Sequence, residues 1–208
     1  MIIFDMDGTL WYTFKNAYDG ALKVASEHDD IKEITKETVA NGMGLSFVDN
    51  AVNYMPYLDK ETREKYLAII DEEVRQNIIR NGATIYDGVI KVITNLGRKY
   101  KLGIVTNNTN EYAEIFLRQT SLQSSFVDYM GAATYSISKG EAIKRMMTRN
   151  DEPESIYVGD IEKDKIAANE ANATFIHARY GFGKKFESEY HIDNIYELER
   201  EVNKIIYD

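Results

Sequence analysis

Four short apolar runs, each ending in a small, polar or acidic residue, constrain this chain more than any other feature: MIIFD at 1–5, KLGIVTN at 101–107, SIYVGD at 155–160 and ATFIHA at 173–178. They are rich in Ile, Val and Phe, have the length of strands and lack strict alternation. Strands buried on both faces of a parallel sheet read this way. FVDYMGAA at 126–133 is a weaker candidate of the same kind. Between the later runs the apolar residues change to helical spacing. GVIKVITNLGRKY puts Val89, Ile93 and Leu96 on one stripe, EYAEIFLRQT groups Ala113, Ile115 and Leu117, and KGEAIKRMMTRN groups Ala142, Ile143, Met146 and Met147. IEKDKIAANEAN and the final IYELEREVNKIIYD continue the pattern. Strand alternating with helix predicts an α/β fold: a Rossmann-like core with a parallel sheet flanked by helices.

Residues 14–83 break the alternation. FKNAYDGALKVASEH and KETREKYLAIIDEEVRQNII are helical in spacing, and no strand candidate separates them. The expected organisation is a core of residues 1–13 and 84–208 with an α-helical subdomain, 14–83, inserted after the first strand. Hinges are expected near residues 13–16 and at Asn81, Gly82 and Ala83. At 208 residues and 44% hydrophobic content, one core plus such an insertion can be buried.

The charge balance narrows the choice of ligand. A formal charge of −9, from 34 acids against 25 bases, repels nucleic acid and anionic membrane surfaces, so neither is expected as a partner and a small molecule is. No protein partner is inferred. With no cysteine there is neither a disulfide framework nor a thiolate metal site. No window approaches the roughly 18 apolar residues of a membrane span, and the N-terminal run lacks a basic segment before it, so a cytoplasmic location is expected.

Ligands of open parallel sheets bind beyond the carboxyl ends of the strands. Asp5 and Asp7 lie at the end of the first candidate strand, Thr106 and Asn107 at the end of another, Asp160 at the end of a third, and Lys139 opens the helix before that third strand. Carboxylates clustered in one crevice repel each other and are costly to bury unless a cation offsets them. Two or three carboxylate oxygens plus a backbone carbonyl suit Mg²⁺, a hard ion that shares its coordination with a substrate phosphate. A carboxylate facing a metal-held phosphate can then act as a covalent nucleophile.

FDMDGTL, IVTNN, SKGEAI and YVGDIEKD, in this order and spacing, resemble the four motifs of the haloacid dehalogenase superfamily in its phosphatase branch. The helical insertion resembles the cap of phosphoglycolate-phosphatase-like and β-phosphoglucomutase-like members. The resemblance implies a Mg²⁺-dependent phosphatase acting on a small phosphorylated metabolite. By position, Asp5 would attack phosphorus and become an aspartyl phosphate. Asp7 would protonate the leaving oxygen and later activate water, and its main-chain carbonyl would face the metal together with Asp5 and Asp160. Thr106 and the backbone N–H of Asn107 would bind phosphoryl oxygens, Lys139 would neutralise charge on Asp5 and the phosphoryl group, and Asp164 would hold Lys139 or metal-bound water in place. Gly8 lets the backbone turn closely around the phosphate. Met43, in the glycine-flanked NGMGLSF stretch, stands where related caps touch the leaving group.

The chain departs from the family pattern in two places. Lys139 is followed by Gly140 where many members carry proline, and Tyr12 occupies a position where relatives often place Asp or Glu to organise the hinge. GFGKK at 181–185 does not meet the P-loop pattern, because Ala178 and Lys185 stand where Gly and Ser or Thr are required. The Tyr180, Gly181, Phe182, Gly183 loop is instead expected near the crevice mouth. His28, His177 and His191 lack the spacing of zinc ligands. Two other functions stay compatible with the motifs: a phosphomutase, and a non-catalytic phosphate-binding regulatory module. Asp7 and Asp160 argue against a dehalogenase, which does not need the metal acids.

Overall fold

The structure, a computed structural model, describes residues 1–207. It divides into two compact units: Met1–Trp11 with the chain from Ile85 onward, and Tyr12–Thr84. The first unit opens with strand β1 (Ile2–Phe4), and the chain passes between the units within two short strands, β2 (Trp11–Tyr12) and β3 (Thr84–Ile85).

The second unit is helical: α1 (Phe14–Ser26), α2 (Lys36–Gly42), α3 (Phe47–Tyr54) and α4 (Lys60–Asn81). Thr35, Ser46 and Asp59 start the last three by accepting, through their side chains, the backbone N–H three residues on. Each cap satisfies a donor that the first helical turn leaves unpaired. Ala21, Val24, Tyr54, Met55, Leu67 and Ile70 form the unit's core. Gly20 faces Val74 so closely that a Cβ would stand 2.8 Å from its methyl and 3.1 Å from its backbone nitrogen, which lets α1 lie tight on α4. Asn16 ties the ends of the unit together, donating to Asn77 Oδ1 at 2.8 Å and to the Gly82 carbonyl at 3.0 Å.

In the first unit β1 is joined by β4 (Leu102–Thr106), β5 (Asp128–Gly131), β6 (Ile156–Gly159), β7 (Thr174–Ala178) and β8 (Tyr190–Ile192) in a six-stranded sheet of order β5-β4-β1-β6-β7-β8, parallel at every pairing. Helices α5 (Val89–Leu96), α6 (Asn110–Thr120), α7 (Ala132–Tyr135), α8 (Lys139–Arg149), α9 (Glu162–Glu170) and α10 (Leu198–Tyr207) belong to the same unit. The predicted parallel α/β architecture is therefore found. Ile3, Val105 and Tyr157 of the sheet pack with Ile143, Met146 and Ala168 of α8 and α9 on one face. On the other, Phe4 meets Phe126 edge-on at 6.1 Å.

Three local features differ from the sequence reading. Strand β8 carries no strand signal in the sequence, because it is three residues long and two of them are polar or amphipathic, Tyr190 and His191. The run at 126–133 divides into β5 and the short α7. Helix α5 stops at Leu96, before Gly97, whose Cβ would stand 2.9 Å from the Ser125 carbonyl.

The strand order reverses at β1. After β1 the chain adds β4 and β5 on one side, then returns to add β6, β7 and β8 on the other. The carboxyl end of β1 is thus the topological switch point, where open α/β sheets form their crevice. Among the described residues no helix is long and apolar enough to cross a membrane.

Candidate functional site

The three residues of β1 are fully buried, and the ladder runs on past them: the Asp5 N–H donates to the Val158 carbonyl at 2.8 Å. Phe4 is in register with Ile104 on one neighbour and Val158 on the other. Asp5, Thr106 and Asp160 therefore emerge at adjacent levels of one sheet end. Beyond Asp5 the chain folds back, with the Met6 carbonyl accepting from the N–H groups of Thr9, Leu10 and Trp11, and Gly8 N–H donating to the Trp11 carbonyl at 2.9 Å. Gly8 has φ +89°, and a Cβ there would overlap the Asp160 carboxylate. A glycine is required on both counts.

Lys139 is the first residue of α8, started by the Ser138 cap, and is 8% exposed. Its ammonium donates to Asp5 Oδ1 at 2.8 Å and to Asp164 Oδ1 at 2.7 Å. The glycine after it has a physical reason: a Cβ at Gly140 would overlap Glu170 Oε2 and stand 3.2 Å from the Ala167 carbonyl. Glycine lets α8 pack against α9, and that packing brings Lys139 to Asp164. The other oxygen of Asp164 accepts from the N–H groups of Asp160 at 3.1 Å and Ile161 at 3.2 Å, satisfying the start of α9.

Asp160 is held from the far side. Its Oδ2 accepts from the backbone N–H of Phe182 at 2.7 Å and of Gly183 at 3.3 Å. The Tyr180 hydroxyl secures the same loop by donating to the Thr9 carbonyl at 2.8 Å. Behind Asp160, the buried His177 ring places Nε2 3.2 Å from the Asp160 carbonyl and stacks on Phe186 with centroids 3.9 Å apart. Asp7, half-buried, turns Oδ1 to the Tyr112 hydroxyl at 2.8 Å. Thr106 is buried, and its hydroxyl accepts from the Asn108 N–H at 3.2 Å, while Asn107 is half-buried beside it. Met43 belongs to the second unit, where it ends α2 and packs against that unit's own core.

The electrostatics follow from burial. Burial pushes the Asp5 carboxyl up to about 7 against the pull of the Lys139 ammonium, with Asp164 and Asp7 adding to the rise. Burial, then the charges of Asp164 and Asp5, also pushes Asp160 well above the usual carboxylate range. Burial opposes the charge on Lys139, but the carboxylates of Asp164 and Asp5 outweigh it and hold the ammonium well above its ordinary pKa. Lys139 is therefore a fixed cation, and one cation is too few for three buried acids.

Asp5, Asp160 and Asp164 each bring a carboxylate oxygen within 4.8 Å of the others. Both oxygens of Asp164 are engaged, by Lys139 and by the two amides. Lys139 takes only Oδ1 of Asp5, and the loop amides take only Oδ2 of Asp160. Asp5 Oδ2 and Asp160 Oδ1 are thus left for a hard cation. An all-oxygen donor set with surplus buried negative charge fits a divalent metal.

Three contributors to this arrangement carried no local signal in the sequence, Tyr112, His177 and Tyr157, whereas the loop of Phe182 and Gly183, expected near the crevice mouth, supplies its amides to Asp160. Tyr157 lies buried beside Lys139, its hydroxyl donating to the Val105 carbonyl at 3.1 Å. The spacing of Tyr112 and Phe116 marks the buried face of α6, and nothing in that spacing names Asp7 as a partner.

Residues 2–178 match the haloacid dehalogenase-like hydrolase family. Among curated proteins the chain is similar to a phosphoglycolate phosphatase of Rhodospirillum rubrum, 24% identical over 88% of this chain and 81% of that protein. A phosphoglycolate phosphatase of Photobacterium profundum is 23% identical over 87% and 83%. Among solved structures, a haloacid dehalogenase-like hydrolase of Streptococcus pneumoniae superposes with TM-score 0.84 at 19% identity, covering 96% of both chains. A subfamily IA hydrolase of Geobacter sulfurreducens superposes with TM-score 0.69 at 17% identity, covering 96% and 94%.

Proposed function

The chain belongs to the haloacid dehalogenase-like hydrolase family, and on that premise we propose that it is a Mg²⁺-dependent phosphatase that hydrolyses a small phosphorylated metabolite through an aspartyl phosphate on Asp5. One observation carries this reading: Asp5 stands at the switch point with Oδ1 clamped by Lys139, in a buried cluster where it, Asp160 and Asp164 each bring a carboxylate oxygen within 4.8 Å of the others. A carboxylate held so, beside a fixed ammonium, is oriented to attack phosphorus, and the ammonium offsets part of the cost that burial puts on its charged form.

An oxygen of Asp5 forms a bond to phosphorus while the phosphorus–oxygen ester bond breaks. Its electron pair goes to the leaving oxygen, which takes a proton from Asp7. Asp7, now a carboxylate, then takes a proton from a water that attacks the phosphorus. The Asp5–phosphorus bond breaks, orthophosphate leaves, and both aspartates return to their starting forms. Lys139, Thr106 and the N–H of Asn107 offset charge on the phosphoryl oxygens, which is where such a transition state gathers it. Asp5, Asp160 and the main-chain carbonyl of Asp7 would hold the metal, which when bound supplies positive charge for the acids and the phosphate. Asp164 keeps Lys139 in place.

Residues 14–83 are assigned the role of a helical cap, with substrate choice in its side chains, Met43 among them. The curated relatives make phosphoglycolate the first substrate to test. A cytoplasmic setting goes with a chain that has no cysteine.

The test is phosphate release from p-nitrophenyl phosphate and from phosphoglycolate, with Mg²⁺ and with EDTA. Asp5→Asn and EDTA should each abolish turnover. An Asp5→Asn protein with near wild-type turnover would refute the covalent mechanism.

A further inference from the structure

We propose that Tyr112 is a positioning residue for Asp7, a role that rests on the phosphatase reading: its hydroxyl occupies Oδ1 of Asp7, so that the transferable proton sits on Oδ2. The phenol donates to Oδ1 at 2.8 Å. An oxygen already facing that hydrogen is a poor place for a second one. When the ester bond breaks, its electron pair goes to the leaving oxygen, the Oδ2 proton follows, and Asp7 is left a carboxylate. The Tyr112 hydrogen bond then becomes charge-assisted and roughly twice as strong, so it favours the transition state over the ground state.

The packing around Tyr112 explains why the hydroxyl stays in place. The residue is 4% exposed on the first turn of α6, next to the Thr109 cap. Trp11, fully buried, is held edge-on between Tyr112 and Phe116, at 5.2 Å from each ring. Trp11 also belongs to the loop that carries Asp7, bridging to it and accepting from Gly8 N–H through its carbonyl. The loop is therefore anchored to α6 by the indole, and the phenol reaches Asp7 from the same helix face. Asp7 is half-buried on a loop, and the Tyr112 hydrogen bond fixes the direction of one of its two carboxyl oxygens. Misplacement by about an ångström is enough to cost about 100-fold in rate.

The experiment compares Tyr112→Phe with wild type on p-nitrophenyl, phenyl and n-butyl phosphate. p-Nitrophenolate departs without a proton and an alkoxide does not. The variant should lose about 10- to 100-fold in kcat/KM on butyl phosphate, a fraction of what general acid catalysis supplies, and less than about 3-fold on p-nitrophenyl phosphate. Trp11 is the sole tryptophan, and an unchanged emission maximum reports intact packing. As a second arm, Asp7→Asn with Tyr112→Phe should be no slower on butyl phosphate than Asp7→Asn alone. An equal loss on all three esters, no loss, or additive losses in the double variant would overturn the role of Tyr112. A wild-type protein that cleaves none of the esters would overturn the phosphatase reading itself.

Discussion

The Lys139 ammonium lies 2.8 Å from Asp5 Oδ1, closing a contact across 134 residues of sequence, and both side chains are buried. The same nitrogen holds Asp164 at 2.7 Å. Buried ion pairs add little net stability, because desolvation cancels most of their attraction, yet removing one member leaves an uncompensated charge. The arrangement is better understood as a device for fixing Asp5 than as a stabilising feature.

Lys139→Met should accordingly destabilise the first unit by roughly 3–5 kcal/mol at neutral pH, because Asp5 and Asp164 would face each other without a cation. Urea unfolding followed by circular dichroism measures it. A loss below about 1 kcal/mol would contradict the assignment of Lys139 as the cation that compensates these acids.

The raised carboxyl of Asp5 gives a direction to the pH dependence of the metal-free protein. Its pKa is about 7 in the folded protein against 3.8 for an ordinary aspartate. Between these values the folded state holds a proton that the unfolded chain has released. This contribution to stability is complete below about pH 4 and is lost as pH rises through 7. In EDTA the urea midpoint should fall from pH 5 to pH 8, and saturating Mg²⁺ should flatten the fall by stabilising the ionised form. A metal-free midpoint that rises over this range would contradict the assigned direction.

Gly8→Ala tests the cradle around Asp160. Its φ of +89° costs a residue with a Cβ about 1–2 kcal/mol, and the methyl group would overlap the Asp160 carboxylate. The variant should melt lower than wild type and lack the rise in Tm expected when Mg²⁺ binds the wild-type site. Differential scanning calorimetry with and without Mg²⁺ reads both quantities. A full Mg²⁺-dependent rise in Gly8→Ala would separate Gly8 from the cation site.

Much of the fold was legible from local pattern alone. The strand segments of runs such as MIIFD and SIYVGD, IIF and IYVG, lack polar alternation because both faces of their strands are covered, and this is visible without knowing what covers them. The three-residue β8 and the four-residue α7 were not legible, because elements that short are decided by their neighbours. Gly140 shows the same limit at one residue. In sequence it is a departure from a family pattern, and only the approach of α9 explains it.

The sequence by itself determined the α/β alternation, the helical stretch at 14–83, and which strand ends carry Asp5, Thr106 and Asp160, since strand and helix periods and motif spacing are properties of neighbouring residues. Only the tertiary structure decided how those groups are held: Lys139 between Asp5 and Asp164, the Phe182 N–H on Asp160 across 22 residues, and the Tyr112 hydroxyl on Asp7 across 105. Each is a hydrogen bond between segments whose separation is set by sheet register and helix packing. Such contacts depend on distances of a few ångströms that the order of residues along the chain does not encode locally.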